Sequence, residues 1–236
     1  MSVPIYSTEN IEHIAEQFLK KYNPSMLKYP NPGFDPYDVV ENYLGVACDW
    51  QYLSQNSTIL GMTAFNTGIL SVWSDDYLHE ECPTKKIFVK SGTILIDSRL
   101  TDGNHVGCEN YTVMHEVSHH LMHQNYFKNL KTQAHVFAFQ DRKPKYWPNG
   151  HRKFENDLDW IEWQADTCAA CILMPRNAVR SVYCDLYNTY KSRFEIKHDC
   201  DLFILKELAD QFHVSKTAMW YRLSHLNLVK GSWGAA

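Results

Sequence analysis

Apolar side chains recur at three- and four-residue spacing in several stretches of the chain, and this spacing predicts amphipathic helices. One runs from Thr8 to Tyr22, and a shorter one runs from Asp35 to Gly45, with Pro near its start and Gly past its end. A third covers residues 111–123. A fourth spans Leu158 to Met174 and ends before Pro175, because proline does not continue a helix.

Between the second and third helices the pattern changes to β-like runs. The Asn66-Thr67-Gly68 turn predicts a hairpin between two of them. Residues 129–157 are polar, and Ala134–Phe139 within them alternates like a strand, so this segment is a hairpin or a loop. We expect an α+β fold, with a small antiparallel sheet packed on the helix at 111–123. The β-like runs are Val46–Leu53, Ile59–Phe65, Gly68–Trp73 and Lys86–Asp97, the last broken at Ser91-Gly92.

The third helix contains the motif H-E-x-x-H, formed by His115, Glu116 and His119. In a helix the two histidines lie one turn apart on one face, so both imidazoles can reach a single metal ion. Glu116 would lie beside the metal without binding it, where a base can take a proton from a metal-bound water. The donor types suit Zn2+ in an open, catalytic geometry. The alternative is a helix with two solvated histidines and an unrelated glutamate, which the apolar flanks oppose.

The fourth helix offers a third ligand. Glu162 lies beside its apolar stripe and would complete a two-histidine, one-carboxylate zinc site with one position open for water. Asp166, one turn further on, can accept a hydrogen bond from the outer nitrogen of a ligating histidine and orient its ring. The same spacing also fits an exposed acidic pair, and the pattern leaves both interpretations open.

Two other ligand sets fit the sequence less well. A three-histidine zinc site requires Gly and His at fixed offsets beyond His119, where Met122 and Asn125 stand instead. His123 shares a helix face with His115 and His119, but a ligand one further turn along has poor geometry. We expect it to support the site or to lie at the surface.

Composition limits the class of protein. Apolar residues make up 44% and charged residues 21% of 236 residues, which is typical of a soluble globular chain. The net charge of −4 argues against a protein that coats nucleic acid. No stretch approaches the ~18 apolar residues that span a bilayer, and residues 1–10 lack the features of a secretory signal, so we expect no membrane association. Seven scattered cysteines predict reduced thiols and a cytoplasmic protein, with Cys168 and Cys171 as small buried helix residues.

Residues Asp201–Leu228 have the pattern of a helix-turn-helix, with the turn at Val214-Ser215. Such a unit can present its second helix to DNA, and the contacts would then be Lys216, Tyr221 and Arg222. The neighbouring acidic residues favour instead a helical pair that packs on the rest of the protein or grips a protein partner, because DNA affinity depends on positive charge. We therefore divide the chain into a catalytic domain, 1–197, and a C-terminal helical segment, 198–236.

Three segments resemble the signature blocks of ImmA/IrrE-type metallopeptidases. The middle block is the most specific, because H-E-x-x-H alone occurs in many zinc peptidases. The order and spacing of the blocks fit, as do the helix and small sheet that precede them, so the resemblance covers nearly the whole chain. The segments are Y-T-V-M-H-E-V-S-H-H-L-M-H at 111–123, E-W-Q-A-D-T-C-A-A-C-I-L-M-P at 162–175, and F-H-V-S-K-T-A-M-W-Y-R-L-S-H-L at 212–226.

The resemblance implies a zincin-like fold with Zn2+ on His115, His119 and Glu162 and with Glu116 as the base. It implies a protein substrate, typically a helix-turn-helix repressor of mobile elements, phages or stress responses. Two functions thus compete. One is a zinc endopeptidase that cleaves such a repressor; the other is a non-proteolytic regulator that keeps the zinc site and binds a repressor or DNA through its C-terminal helices. Glu116 favours the enzyme, because a structural metal site has no use for a base.

Overall fold

The computed structural model describes residues 3–31, 33–55, 57–74, 83–101, 103, 106–129, 137–141 and 154–230. The chain forms two compact units. The first comprises Met1–Thr8 and Asp35–Ala169, and the second comprises Glu9–Phe34 and Ala170–Ala236. The boundary predicted between residues 197 and 198 falls within the second unit.

The fold is α+β, and its described residues form eight α-helices and six strands. The helix predicted at Thr8–Tyr22 has those bounds. The one predicted from residue 35 begins at Pro36 and continues as a π-helical turn over Val39–Tyr43. In chain order the elements are α1 (Thr8–Tyr22), α2 (Pro36–Asp38), β1 (Cys48–Gln51), β2 (Ile59–Ala64), β3 (Gly68–Trp73), β4 (Thr84–Val89), β5 (Ile94–Asp97), α3 (Val106–Met122), α4 (Gln124–Asn129), β6 (Phe137–Asp141), α5 (Asp157–Leu173), α6 (Arg176–Tyr190), α7 (Lys197–Gln211) and α8 (Lys216–His225).

The main sheet of the first unit has the strand order β1-β5-β2-β6. Strand β2 pairs antiparallel with both β5 and β6, whereas β1 and β5 run parallel, with Cys48 opposite Ile94. The sheet is therefore mixed, and the prediction of an antiparallel sheet is wrong for the β1–β5 pair. The reason is that β5 inserts between β1 and β2, an order that the alternation of side chains does not encode.

The predicted hairpin between β2 and β3 is also wrong, because β3 pairs with β4 in a separate two-stranded sheet. The end of β2 bonds to the β4–β5 turn instead. The N–H of Ala64 donates to the carbonyl of Thr93 at 2.9 Å, and the N–H of Gly92 donates to the carbonyl of Ala64 at 2.7 Å. These bonds use the backbone groups that a hairpin with β3 would need.

Helix α3 packs on β2 and β5, as predicted for the H-E-x-x-H helix. Both strands are buried along nearly their whole length, which explains their continuous apolar runs. Val113, Met114 and Val117 face this core and are fully buried. The strand predicted at Ala134–Phe139 is β6 at Phe137–Asp141; residues 130–136 lie outside the described residues.

The second unit contains α6, α7, α8 and most of α1. The connection between α7 and α8 lies at the turn predicted from the sequence. There His213 takes a positive φ of 51°, and the hydroxyl of Ser215 caps α8 by accepting the N–H of Ala218 at 3.1 Å. Tyr183 on α6 donates to Asp201 on α7 at 2.7 Å, which links these two helices.

A buried ion pair joins α1 and α8 within the second unit. Arg222 is 2% exposed and its guanidinium donates to both oxygens of Glu12, which is 5% exposed. Its Nε also donates to the carbonyl of Met174 at 2.8 Å. Of the three contacts that DNA binding would require, Arg222 is therefore buried, whereas Lys216 and Tyr221 are exposed. Burial alone would raise the pKa of Glu12, but the hydrogen bonds and charge of Arg222 hold it below its usual range.

None of the described helices is long and apolar enough to cross a membrane. The six cysteines in the described ranges form no disulfide with one another. Cys168 and Cys171 are buried on α5, as predicted for small apolar helix positions.

Arg222→Met should lower the free energy of unfolding by about 3–5 kcal/mol at neutral pH, because it leaves the Glu12 carboxylate buried without a cation. The native pair stabilises the fold above the pKa of an unfolded glutamate, and this contribution disappears as pH falls through the lowered pKa of Glu12. The loss of stability caused by Arg222→Met should therefore be smaller at acidic pH. Denaturant unfolding at neutral and acidic pH measures it. Exposed Arg193→Met is the control, and an equal, pH-independent loss in both variants would contradict the prediction.

Candidate metal centre

Helices α3 and α5 bring two imidazoles and a carboxylate to one point of the first unit. The Nε2 atoms of His115 and His119 lie 3.0 Å apart. Glu162 places Oε2 3.1 Å from Nε2 of His115 and Oε1 3.4 Å from Nε2 of His119. Donors at zinc distances of about 2.0–2.2 Å in a tetrahedron are separated by roughly 3.3 Å, so these spacings fit one ion. These three residues could hold a metal ion.

The donors are buried to different extents. The rings of His115 and His119 are 1% and 0% exposed, whereas the Glu162 side chain is 21% exposed. Burial alone would raise the pKa of Glu162, but the neighbouring charges of His119 and His115 and their hydrogen bonds lower it well below its usual range. The carboxylate is therefore ionised, as a metal ligand must be. Glu162 is thus the one of the three donors whose side chain is partly exposed.

Asp166 makes the contact predicted for it. Its Oδ1 lies 2.9 Å from Nδ1 of His115, on the opposite side of the ring from Glu162. Burial alone would lower the pKa of His115, but the hydrogen bonds to Asp166 and Glu162 raise it to about 10. Because Nδ1–H donates to Asp166, the second proton occupies Nε2. A proton and a metal ion therefore compete for the same nitrogen.

His119 is held by a different partner. Its Nδ1 lies 2.9 Å from Nδ1 of His123, and Nε2 of His123 lies 3.1 Å from the side-chain oxygen of Gln164. His123 is fully buried and is not one of the three converging residues, so of its two predicted positions, beside the site or at the surface, the structure has the first. Burial and the nearby His119 lower the pKa of His123 to about 3, so its ring is neutral.

Glu116 is fully buried between α3 and β2. The hydroxyl of Thr63 on β2 donates to its Oε2 at 2.7 Å. Its other oxygen, Oε1, meets no hydrogen-bond donor among the described residues. Burial is the main reason that the pKa of Glu116 is raised, although His115 and His119 act to lower it. A carboxylate of this kind binds a proton more readily than an exposed glutamate.

Gly61 allows β2 to approach α3 this closely. A Cβ atom at Gly61 would lie 2.6 Å from Oε1 of Glu116 and 2.9 Å from the Cγ2 methyl of Thr112, which is closer than real Cβ contacts. The absent side chain therefore makes room for the Glu116 carboxyl between helix and strand.

The structure brings together, around the contact of α3 with α5 and β2, the site residues proposed from the sequence. They are His115, Glu116, His119, Glu162 and Asp166. Pattern analysis does not find Gly61, Thr63 and Gln164. Gly61 interrupts an otherwise apolar β run, and this interruption is the signal that marks a close backbone approach. The sequence offers several tyrosines and histidines that could stabilise the oxyanion of a peptidase reaction, and one of them, His151, lies outside the described residues.

Comparison with known proteins does not assign the chain to a family. No family model matches the chain, and no curated protein matches it either.

Gly61→Ala should destabilise the fold by about 1–3 kcal/mol, because its methyl group would overlap Glu116 and Thr112. Thermal or denaturant unfolding measures the loss. Gly33→Ala is the matched control, since its nearest neighbour would be 3.8 Å away. The double variant Gly61→Ala/Glu116→Ala should recover part of the stability. Wild-type stability in the single variant would show that β2 and α3 are not in close contact at this point.

Proposed function

We propose that the protein is a zinc-dependent endopeptidase of the ImmA/IrrE type, with His115, His119 and Glu162 as the metal ligands and Glu116 as the general base. The observation that carries the proposal is the arrangement on α3 and α5. Three metal-binding atoms lie within 4.8 Å of one another, and a buried carboxyl group follows the first ligand on the same helix.

The donor set supports zinc among the divalent metals. Two imidazoles with one carboxylate, and no thiolate in the cluster of the described residues, are the ligands of catalytic rather than structural zinc sites. When bound, zinc supplies the acidification of a water molecule and the polarisation of the scissile carbonyl group.

The polar neighbours prepare Glu116 for proton transfer. Thr63 fixes Oε2, which leaves Oε1 as the atom that takes the proton from the attacking water and passes it to the leaving amine. The raised pKa of Glu116 favours this role, because a base works best when its pKa approaches the working pH. Asp166 holds the His115 ring with Nε2 toward Glu162.

The proposed substrate is a regulatory protein such as a helix-turn-helix repressor. This part of the proposal is supported by the resemblance of the three sequence segments alone. The competing function, a regulator that acts by binding DNA through α7 and α8, loses one of its three expected contacts, because Arg222 is buried against Glu12.

Glu116→Gln should retain one zinc per chain and lose peptidase activity by a factor on the order of 10² or more, because the amide keeps the shape of the side chain but cannot accept the proton. His119→Ala and Glu162→Ala should lose the metal as well. Elemental analysis and cleavage of co-expressed candidate repressors measure the two properties.

Exposed Glu155→Gln serves as the control and should behave as wild type. Full zinc occupancy in Glu162→Ala would show that Glu162 is not a metal ligand. Cleavage by Glu116→Gln at the wild-type rate would show that Glu116 is not the general base.

A further inference from the structure

A line of hydrogen bonds runs from the N-terminal segment to the proposed metal site, all within the first unit. It joins the carbonyl of Pro4, the side chain of Gln164, the ring of His123 and the ring of His119. We propose that His123 and Gln164 are positioning residues that hold the proton of His119 on Nδ1 and so leave its Nε2 lone pair for the metal. The inference rests on the proposed metal site.

The carbonyl of Pro4 determines which groups donate and which accept along this line of hydrogen bonds. A backbone carbonyl can only accept, so the group of Gln164 that lies 2.8 Å from it must be the amide nitrogen. The side-chain oxygen of Gln164 therefore faces Nε2 of His123 at 3.1 Å. Pro4 is in turn held by its neighbour Val3, which is 5% exposed and packs in a cluster with Phe65, Phe127 and Ile161.

The next step fixes the tautomer of His123. The oxygen of Gln164 can only accept, so Nε2 of His123 carries the proton and donates it. The ring is fully buried and its two hydrogen-bond partners are an amide and an imidazole, which do not compensate a positive charge. His123 is therefore neutral, and its Nδ1 is an acceptor.

The last step fixes His119. Its Nδ1 lies 2.9 Å from the accepting Nδ1 of His123, so the proton of His119 is on Nδ1. Its Nε2, the atom offered to the metal, points to Nε2 of His115 and to Glu162. A neutral ring with its proton on Nε2 instead would place two lone pairs against each other at 2.9 Å and would leave no lone pair for the metal. Both consequences are unfavourable.

The two proposed histidine ligands are thus oriented by different chemistry. His115 donates to the carboxylate of Asp166, whereas His119 donates to a neutral imidazole that is itself anchored by an amide. Outer partners of this kind typically change metal affinity by roughly 10–100-fold when they are removed.

The test compares zinc affinity in variants that keep or remove the acceptor. His123→Leu and Gln164→Leu should weaken zinc binding roughly 10–100-fold, measured by competition with a chromophoric chelator. His123→Asn should bind zinc more tightly than His123→Leu, because its side-chain oxygen can replace the accepting Nδ1. His120→Leu removes a neighbouring imidazole of the same helix outside this line, and it should keep the wild-type affinity.

A second readout does not depend on the metal. Long-range 1H–15N NMR of the metal-free wild-type protein should place the proton of His119 on Nδ1. A His119 ring without a proton on Nδ1, or wild-type zinc affinity in folded His123→Leu, would overturn the inference. If a leucine variant does not fold, the NMR spectrum of the wild type decides. Absence of zinc binding by the wild type would refute the proposed metal site, while the NMR result would still test the order of hydrogen bonds.

Discussion

The polar face of α3 must be buried in a hydrophobic core, and most of the site follows from this constraint. His115, Glu116 and His119 on this helix, and His123 directly after its end, are all at most 1% exposed, and the helix packs against β2 and β5. A buried polar group without a partner costs about 1–3 kcal/mol, so four of them within residues 115–123 would be incompatible with a stable fold. Each therefore requires a partner from another element.

The partners come from two elements. Helix α5 contributes Glu162, Asp166 and Gln164 at alternate positions along a little more than one turn, and β2 contributes Thr63. The same contacts that satisfy these buried groups also hold the imidazoles at a common point. One set of hydrogen bonds thus determines both the stability of the core and the geometry of the proposed site. A substitution of these partners, on α5 or on β2, should therefore change the stability as well as the geometry.

The sequence predicts the helices of the site well because each has a strong 3.6-residue period. The bounds of α1 agree with the prediction, and α5 begins and ends one residue earlier than predicted. The sheet was less predictable. Periodicity shows which segments are strands but not which strands are neighbours, and the pairing of β1 with β5 depends on contacts between distant residues. Likewise, Arg222 has the sequence context of a surface arginine, and only the position of Glu12 on a distant helix explains its burial.

Glu116 is the residue that best separates a catalytic from a structural interpretation of the cluster. Its Oε1 has no donor in the described part of the chain, and burial raises its pKa, so the carboxyl group is maintained at a cost to stability. Gly61 is needed to make room for it, and glycine within a strand is itself unfavourable. A metal site that only cross-links α3 and α5 would gain stability from an apolar side chain at position 116. A site that transfers protons needs the carboxyl group there, and Glu116 keeps one with Oε2 held by Thr63 and with Oε1 unpaired among the described residues.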